Sequence, residues 1–403
     1  MLVLALLALP SNVASAATVG TWTSTTSYPL QVAGASCVTY SNYVYCVGGF
    51  DAKGKDYDNT YFAPLSATGV GAWTATTPYP AQVDSSGCTV NGSTLYCVGG
   101  ENSTSVLSAV FQATLSTSGI GTWKPAAAYP QTIAASGCFI YSGYIYCVGG
   151  FDITGDETAS SYYASLSSGL KSWISTTSYP VAINSESCNV LGSTVYCVAG
   201  NEESGLPQYP IDNVYYAQLS STGIGPWTQT TAYPNALSAL SCTLYEGTLF
   251  CAGGFNINEL SSNHVYTATV SSTGVSPWTN ATAYPNPFDV SSCVQDFGDM
   301  YCVAGRIFLG GSNLSMQNSV YYAALTGVST SSTTSTNSTT TVTTTTTTSS
   351  SPTTTSSASS ASSTTSTSST TSTVPEFNAG ALAVAMLGAM MAVALLSRKP
   401  TDP

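Results

Sequence analysis

The sequence predicts an all-β fold: a six-bladed β-propeller with four-stranded blades, its ring closed by the N-terminal strand acting as the outer strand of the last blade. Three observations predict it. Tryptophan occurs six times, at Trp22, Trp73, Trp123, Trp173, Trp227 and Trp278, in steps of 51, 50, 50, 54 and 51 residues. Each tryptophan is followed six residues later by a Tyr-Pro pair, beginning at Tyr28, Tyr79, Tyr129, Tyr179, Tyr233 and Tyr284. Each unit then holds two cysteines with eight residues between them, and the second leads into VGG, VAG or AGG. A repeat of about 50 residues is one supersecondary unit that buries its apolar faces only by stacking against its neighbours.

The second unit shows the strands. Gly87 to Asn91 reads as the inner strand, Thr94 to Val98 as the second, Val106 to Leu115 as the third and Gly121 to Ala126 as the outer one. All are short, β-branched and aromatic, with turn residues between them. Between the two ends of the chain, no window carries an apolar 3.6-residue period long enough for a helix. The last unit has three strands but no tryptophan strand before a Ser/Thr tract begins. The first tryptophan strand, Gly20 to Thr26, has no partners before it. Together they complete one blade, and radial closure of this kind leaves few sheet edges exposed.

The cysteine spacing fixes the pairing. In Cys88-TVNGSTLY-Cys97 a two-residue turn centred on Gly92-Ser93 sets Asn91 opposite Thr94 as a hydrogen-bonded pair. Alternating outward, Cys88 and Cys97 fall on a non-hydrogen-bonded pair. There the Cα atoms approach to about 4.5 Å, within disulfide reach. The same register applies to Cys37-Cys46, Cys138-Cys147, Cys188-Cys197, Cys242-Cys251 and Cys293-Cys302. Closing each loop of about ten residues contributes roughly 2.5–3 kcal/mol through the unfolded chain. Zinc sites use closer pairs with matching His or Cys, so a metal role fits this spacing poorly.

A strand ending in Gly-Gly, an aromatic strand next and a Trp strand last resembles the kelch repeat over residues 19 to 326. The usual kelch tyrosine has counterparts at Tyr61, Phe111, Tyr162, Tyr215, Tyr266 and Tyr321. Two departures stand out: the cysteine pairs, and Ala199-Gly200 and Ala304-Gly305 in place of Gly-Gly. The resemblance implies a kelch-like propeller in which the loops after the second strand and the connections between blades share one face. That face would hold Asp51, Asp56, Asp58, Asp84, Glu101, Asp152, Asp156, Glu157, Glu186, Glu202, Glu203, Asp212, Glu259 and Asp289. Asp51, Glu101, Asp152 and Glu202, each read as directly following the second strand, are then the candidate ligands for a calcium ion. This hard cation suits oxygen-rich loops without histidine. Asn256 and Arg306 take the corresponding places in the fifth and sixth units, with Arg306 available for a salt bridge to a neighbouring carboxylate.

The remaining segments read as sorting and tethering. Residues 1–16 end in Ala14-Ser15-Ala16 after an apolar run and read as a signal peptide; the propeller spans 17–326. Residues 327–377 read as a Ser/Thr-rich stalk with nothing to bury. Residues 378–396 carry no charge and read as a transmembrane helix or a sorting-signal helix, followed by a basic cytoplasmic tail, 397–403. Pro375-Glu376-Phe377 before that helix resembles archaeal carboxy-terminal sorting signals. Asn91, Asn102, Asn280, Asn313 and Asn337 stand in N-x-S/T sequons.

Composition narrows the function. Charged residues are 6% and the formal net charge is −12, which excludes the basic footprint of a nucleic-acid binder. The single histidine, His264, is the only one a Ser-His-Asp or Cys-His arrangement could use, and Arg306 and Arg398 cannot make an arginine triad. No Gly-rich loop follows a strand and opens a helix. The expectation is a monomeric ectodomain at the cell surface that binds a glycan or protein ligand on its acidic loop face. The alternatives are a carbohydrate-active enzyme using loop carboxylates and a structural component of the cell envelope.

Overall fold

In the computed structural model, residues 17–327 are described, apart from 168, 203–208 and 312. The expected signal peptide, stalk and C-terminal helix lie outside these residues, as do Glu203 and Asn337. Among the described residues no helix is long and apolar enough to cross a membrane.

The chain folds as a six-bladed β-propeller. The inner strands are Ser36–Tyr40, Gly87–Asn91, Gly137–Tyr141, Ser187–Leu191, Ser238–Tyr245 and Ser292–Asp296. Each pairs antiparallel with the second strand of its blade, and that with the third. The outer strand is slighter than its sequence suggests. In blade two it consists of Gly119–Ile120 and Lys124–Pro125, both paired with the third strand, Val110–Ser116. That third strand starts later than the apolar run does, because Ser105–Val106 turns back on Glu101–Asn102 as a small separate hairpin.

The N-terminal segment closes the ring. Thr18 and Val19 pair with Thr326 and Leu325, and Thr23 and Ser24 with Tyr322 and Tyr321, on the third strand of blade six. All six cysteine pairs are disulfides. In each, the cysteines face each other across the hairpin in the expected register, with Cα atoms 4.0–4.1 Å apart.

The Gly-Gly step joins each blade to the next. The second glycine donates its N–H forward: Gly49 to Val83 O, Gly100 to Ile133 O, Gly150 to Ile183 O, Gly200 to Leu237 O, Gly254 to Phe288 O and Gly305 to Val32 O. The first glycine must let that carbonyl approach. A Cβ at Gly99 would stand 2.1 Å from Ile133 O, at a φ of +59°. Blades four and six place Ala199 and Ala304 here, both at φ +56°. Their second strands continue past this point with a shifted register, between Val198 and Gly200 and between Val303 and Gly305. The alanines therefore sit on a β-bulge that lengthens the strand.

The Tyr-Pro tyrosines are structural. Each ring is buried and meets two others edge to face. Tyr179, for example, packs against Tyr215 at 5.3 Å and Trp227 at 4.9 Å. The series closes cyclically, since Tyr284 meets Trp22 at 4.8 Å. This accounts for the fixed Trp-to-Tyr spacing, because each tyrosine locks its own blade to the tryptophan of the next. Tyr179→Ala should lower stability by about 3–5 kcal/mol in urea unfolding, as for other buried aromatic truncations. Tyr179→Phe should retain most of it, since the rings make the contact.

Candidate functional site

The loop face carries the candidate site, and its floor is built from strained backbone. The residue three before the first cysteine of each blade has a positive φ: Gly34, Ser85, Ala135, Ser185, Ala239 and Val290. These residues bond from blade to blade around the axis. Ser85 N–H donates to Gly34 O, Ala135 to Ser85, Ser185 to Ala135, Gly34 to Val290 and Val290 to Ala239, at 2.9–3.3 Å. Five of the six steps are thus bridged directly, and this iris draws the inner strands together at the mouth of the channel.

Next to the iris stand six rim pairs, formed by the residue four before the first cysteine and the residue four after the second. They are Ala33–Phe50, Asp84–Glu101, Ala134–Phe151, Asn184–Asn201, Ser238–Phe255 and Asp289–Arg306. Odd-numbered blades carry phenylalanine and even-numbered blades a polar pair, a threefold alternation within the sixfold ring.

At each seam from an odd to an even blade, a polar group from the odd blade's loop joins the polar pair. Glu157 Oε1 accepts from Asn184 Nδ2 and Asn201 Nδ2 at 3.0 and 3.1 Å. Ser261 donates to Asp289, which also accepts from Arg306 Nε at 2.7 Å. Burial raises the Asp289 carboxyl above its ordinary value, opposed by the Arg306 guanidinium and the Ser261 hydroxyl. Arg306 therefore meets a neighbouring carboxylate, as its place in the sequence allows. At the seam of blades one and two, Asp56 joins Asp84 and Glu101.

These placements divide the expected calcium set between two positions. Glu101 and Arg306 lie four residues after the second cysteine, whereas Asp51, Asp152, Glu202 and Asn256 lie five after it. A one-residue difference in extended chain reverses the side chain's direction. Glu101 is accordingly buried on the rim, and the true counterpart of Asp51 is Asn102.

Asp51 and Asp152 are occupied by their own loops. Asp51 accepts from the Lys53 and Lys55 N–H groups and the Tyr57 hydroxyl. Asp152 accepts from the N–H and hydroxyl of Thr154. Partial burial raises both carboxyls, but these donors outweigh it and leave each below the ordinary range. Asn102 and Asn256 cap their loops in the same way. The position is a side-chain turn cap. Glu202 is half-buried. Among the described residues, no group of three or more His, Cys, Asp or Glu is arranged to hold a metal ion.

The fourteen carboxylates divide. Asp56, Asp84, Glu101, Glu186 and Asp289 are buried, while Asp58, Asp156 and Asp212 are exposed. His264 is exposed and lies against Tyr266. Of the sequons, Asn280 and Asn313 are exposed, whereas Asn91 and Asn102 are half-buried.

What the sequence reading passed over is apolar. Ile153, Tyr209, Ile257 and Leu309 are exposed by 55, 43, 46 and 54%. Ile153, Ile257 and Leu309 belong to the loops after the second strand of blades three, five and six, and Tyr209 opens the third strand of blade four, paired with Glu202. The signal was present for two of them, since Ile153 and Ile257 interrupt stretches otherwise made of turn residues. Exposed apolar side chains gathered on one loop face mark an interaction surface.

No known protein-family profile matches the chain, and no curated protein does. Solved structures do match. One described as "Structure of YjhT" aligns with a TM-score of 0.60 at 13% identity, covering 75% of this chain and 99% of that one. At that identity the likeness shows the fold alone.

Proposed function

We propose that the protein is a non-enzymatic binding module, exported and displayed at the cell surface, that recognises a protein ligand through its loop face. The observation that carries this reading is the run of exposed apolar side chains on blades three to six, Ile153, Tyr209, Ile257 and Leu309. Exposed carboxylates at Asp58, Asp156 and Asp212 share that face, so the fitting partner has an apolar patch beside basic groups. The six Tyr-Pro tyrosines are buried in the blade joints and out of reach of a sugar. Six disulfides fit an oxidising compartment.

The test is a screen of the ectodomain against surface-protein and glycan arrays, with and without calcium, beside a panel of glycoside substrates. A protein ligand is expected. The triple variant Ile153→Asp/Ile257→Asp/Leu309→Asp should weaken its binding by roughly a hundredfold or more, as for central contact residues. Glycoside turnover, or protein binding unchanged in the variant, would defeat the reading.

A further inference from the structure

We propose that the seam between blades one and two is a pH-operated clasp, held shut by protons that Asp84 and Glu101 keep where they meet Asp56, and loosened when those two carboxyls ionise. The three groups come from three segments: the blade-one loop, the connection into blade two, and the residue after the second strand of blade two. All are buried, at 2, 1 and 5% exposure. Asp56 Oδ2 accepts from Ser103 N–H at 2.6 Å, and Asp84 Oδ1 from the Ser85 hydroxyl. The other oxygens, Asp56 Oδ1, Asp84 Oδ2 and Glu101 Oε1, meet no donor although all are buried.

The equivalent seams show what is missing. Between blades five and six Arg306 supplies a positive charge, and between blades three and four two amides hold a single carboxylate. Between blades one and two three acids meet with no built-in counter-charge. Lys53 and Lys55, on the same blade-one loop, are exposed, and the Lys55 ammonium lies over the Tyr57 ring at 4.5 Å. The blade-three segment against which Gly100 packs, Ile133 to Ser136, contains nothing that titrates. Buried like charges that face one another without a counter-charge cannot all ionise, so protons stay. Burial, then Glu101 and Asp56, holds the Asp84 carboxyl well above its usual value. Burial with Asp56 pushes Glu101 up to about 8.

The folded chain therefore binds more protons than the unfolded one between the ordinary carboxylate pKa and about pH 8. Stability is highest below that window and falls as pH rises through it. Each proton held only by the folded state makes the folding equilibrium fall about tenfold per pH unit.

The experiment is urea unfolding of the full chain from pH 5 to 9, with amide exchange of Ser103 read alongside. In the wild-type chain the equilibrium should fall with pH. In Asp84→Asn/Glu101→Gln that fall should be shallower by about a hundredfold per unit up to about pH 8, tenfold for each proton removed. Glu186→Gln, which removes a buried acid at another seam, should leave the Ser103 response unchanged. The corrected Ser103 protection of the wild type should drop at least tenfold between pH 6 and 9. Equal slopes in wild type and double variant, or constant Ser103 protection, would overturn the clasp. Added calcium restoring both stability and protection at pH 9 would also overturn it, in favour of a cation site. If the double variant does not fold, Ser103 exchange in the wild-type chain decides alone.

Discussion

Deleting residues 17–27 opens the ring and lowers the thermal midpoint by about 10 °C or more, whereas truncating the chain from Thr330 onward leaves it unchanged. The deleted strand contributes Val19 and Trp22, both buried. Their loss costs about 1.5–3 kcal/mol for the valine and about 3–5 kcal/mol for the tryptophan. It also strips blade six of its outer strand and blade five of two bonds: Trp22 Nε1 donates to Thr282 O at 3.0 Å, and the Thr282 hydroxyl to Val19 O at 2.5 Å. A synthetic peptide of residues 17–27 added to the truncated protein should recover part of the midpoint. Scanning calorimetry of the two truncations checks the expectation, and equal midpoints would refute closure by this strand.

The second large effect is at Arg306. Arg306→Met leaves Asp289 wholly buried with its guanidinium partner gone, and breaking a buried pair this way costs about 3–5 kcal/mol. Burial, opposed by the Ser261 hydroxyl, then sets the carboxyl, so Asp289 holds its proton more tightly than in the wild type. The penalty should be smaller at pH 4 than at pH 7, because protonation removes the buried charge. Arg306→Met/Asp289→Asn should be more stable at pH 7 than Arg306→Met alone. A double-mutant cycle in urea measures this, and additive losses would show that the pair is not coupled.

Much of this fold was legible because the repeat states the same chemistry six times. The hairpin register followed from one cysteine spacing and a two-residue turn. Closure followed from counting which strand lacked partners. The Trp and Tyr-Pro spacing marked the repeat, although not the ring of edge-to-face contacts that explains it.

The site was harder, for a physical reason. Reading each unit against a common pattern hid the alternation between odd and even blades, which only shows when Phe50, Phe151 and Phe255 are set against Glu101, Asn201 and Arg306. It also let Glu101 be counted with Asp51. One residue of offset decides whether a carboxylate caps an exposed loop or is driven into a seam, and composition gives no account of that. Ile153 and Ile257 were visible as isoleucines, but their exposure depends on a tight turn whose cap, Asp152 or Asn256, holds the loop out from the rim.

The closing of the ring also sets where the two ends of the described chain lie. Thr18 lies opposite Thr326, so both strands end together at the bottom of blade six. A Cβ at Gly327 would strike Glu246, in the inner hairpin of blade five on the face away from the loops. The described chain therefore ends at Gly327 on the face away from the apolar loops. A pull applied at Gly327 would load the short pairing between Thr18–Val19 and Leu325–Thr326 before it reached any other blade, so mechanical failure should begin where the ring was sealed.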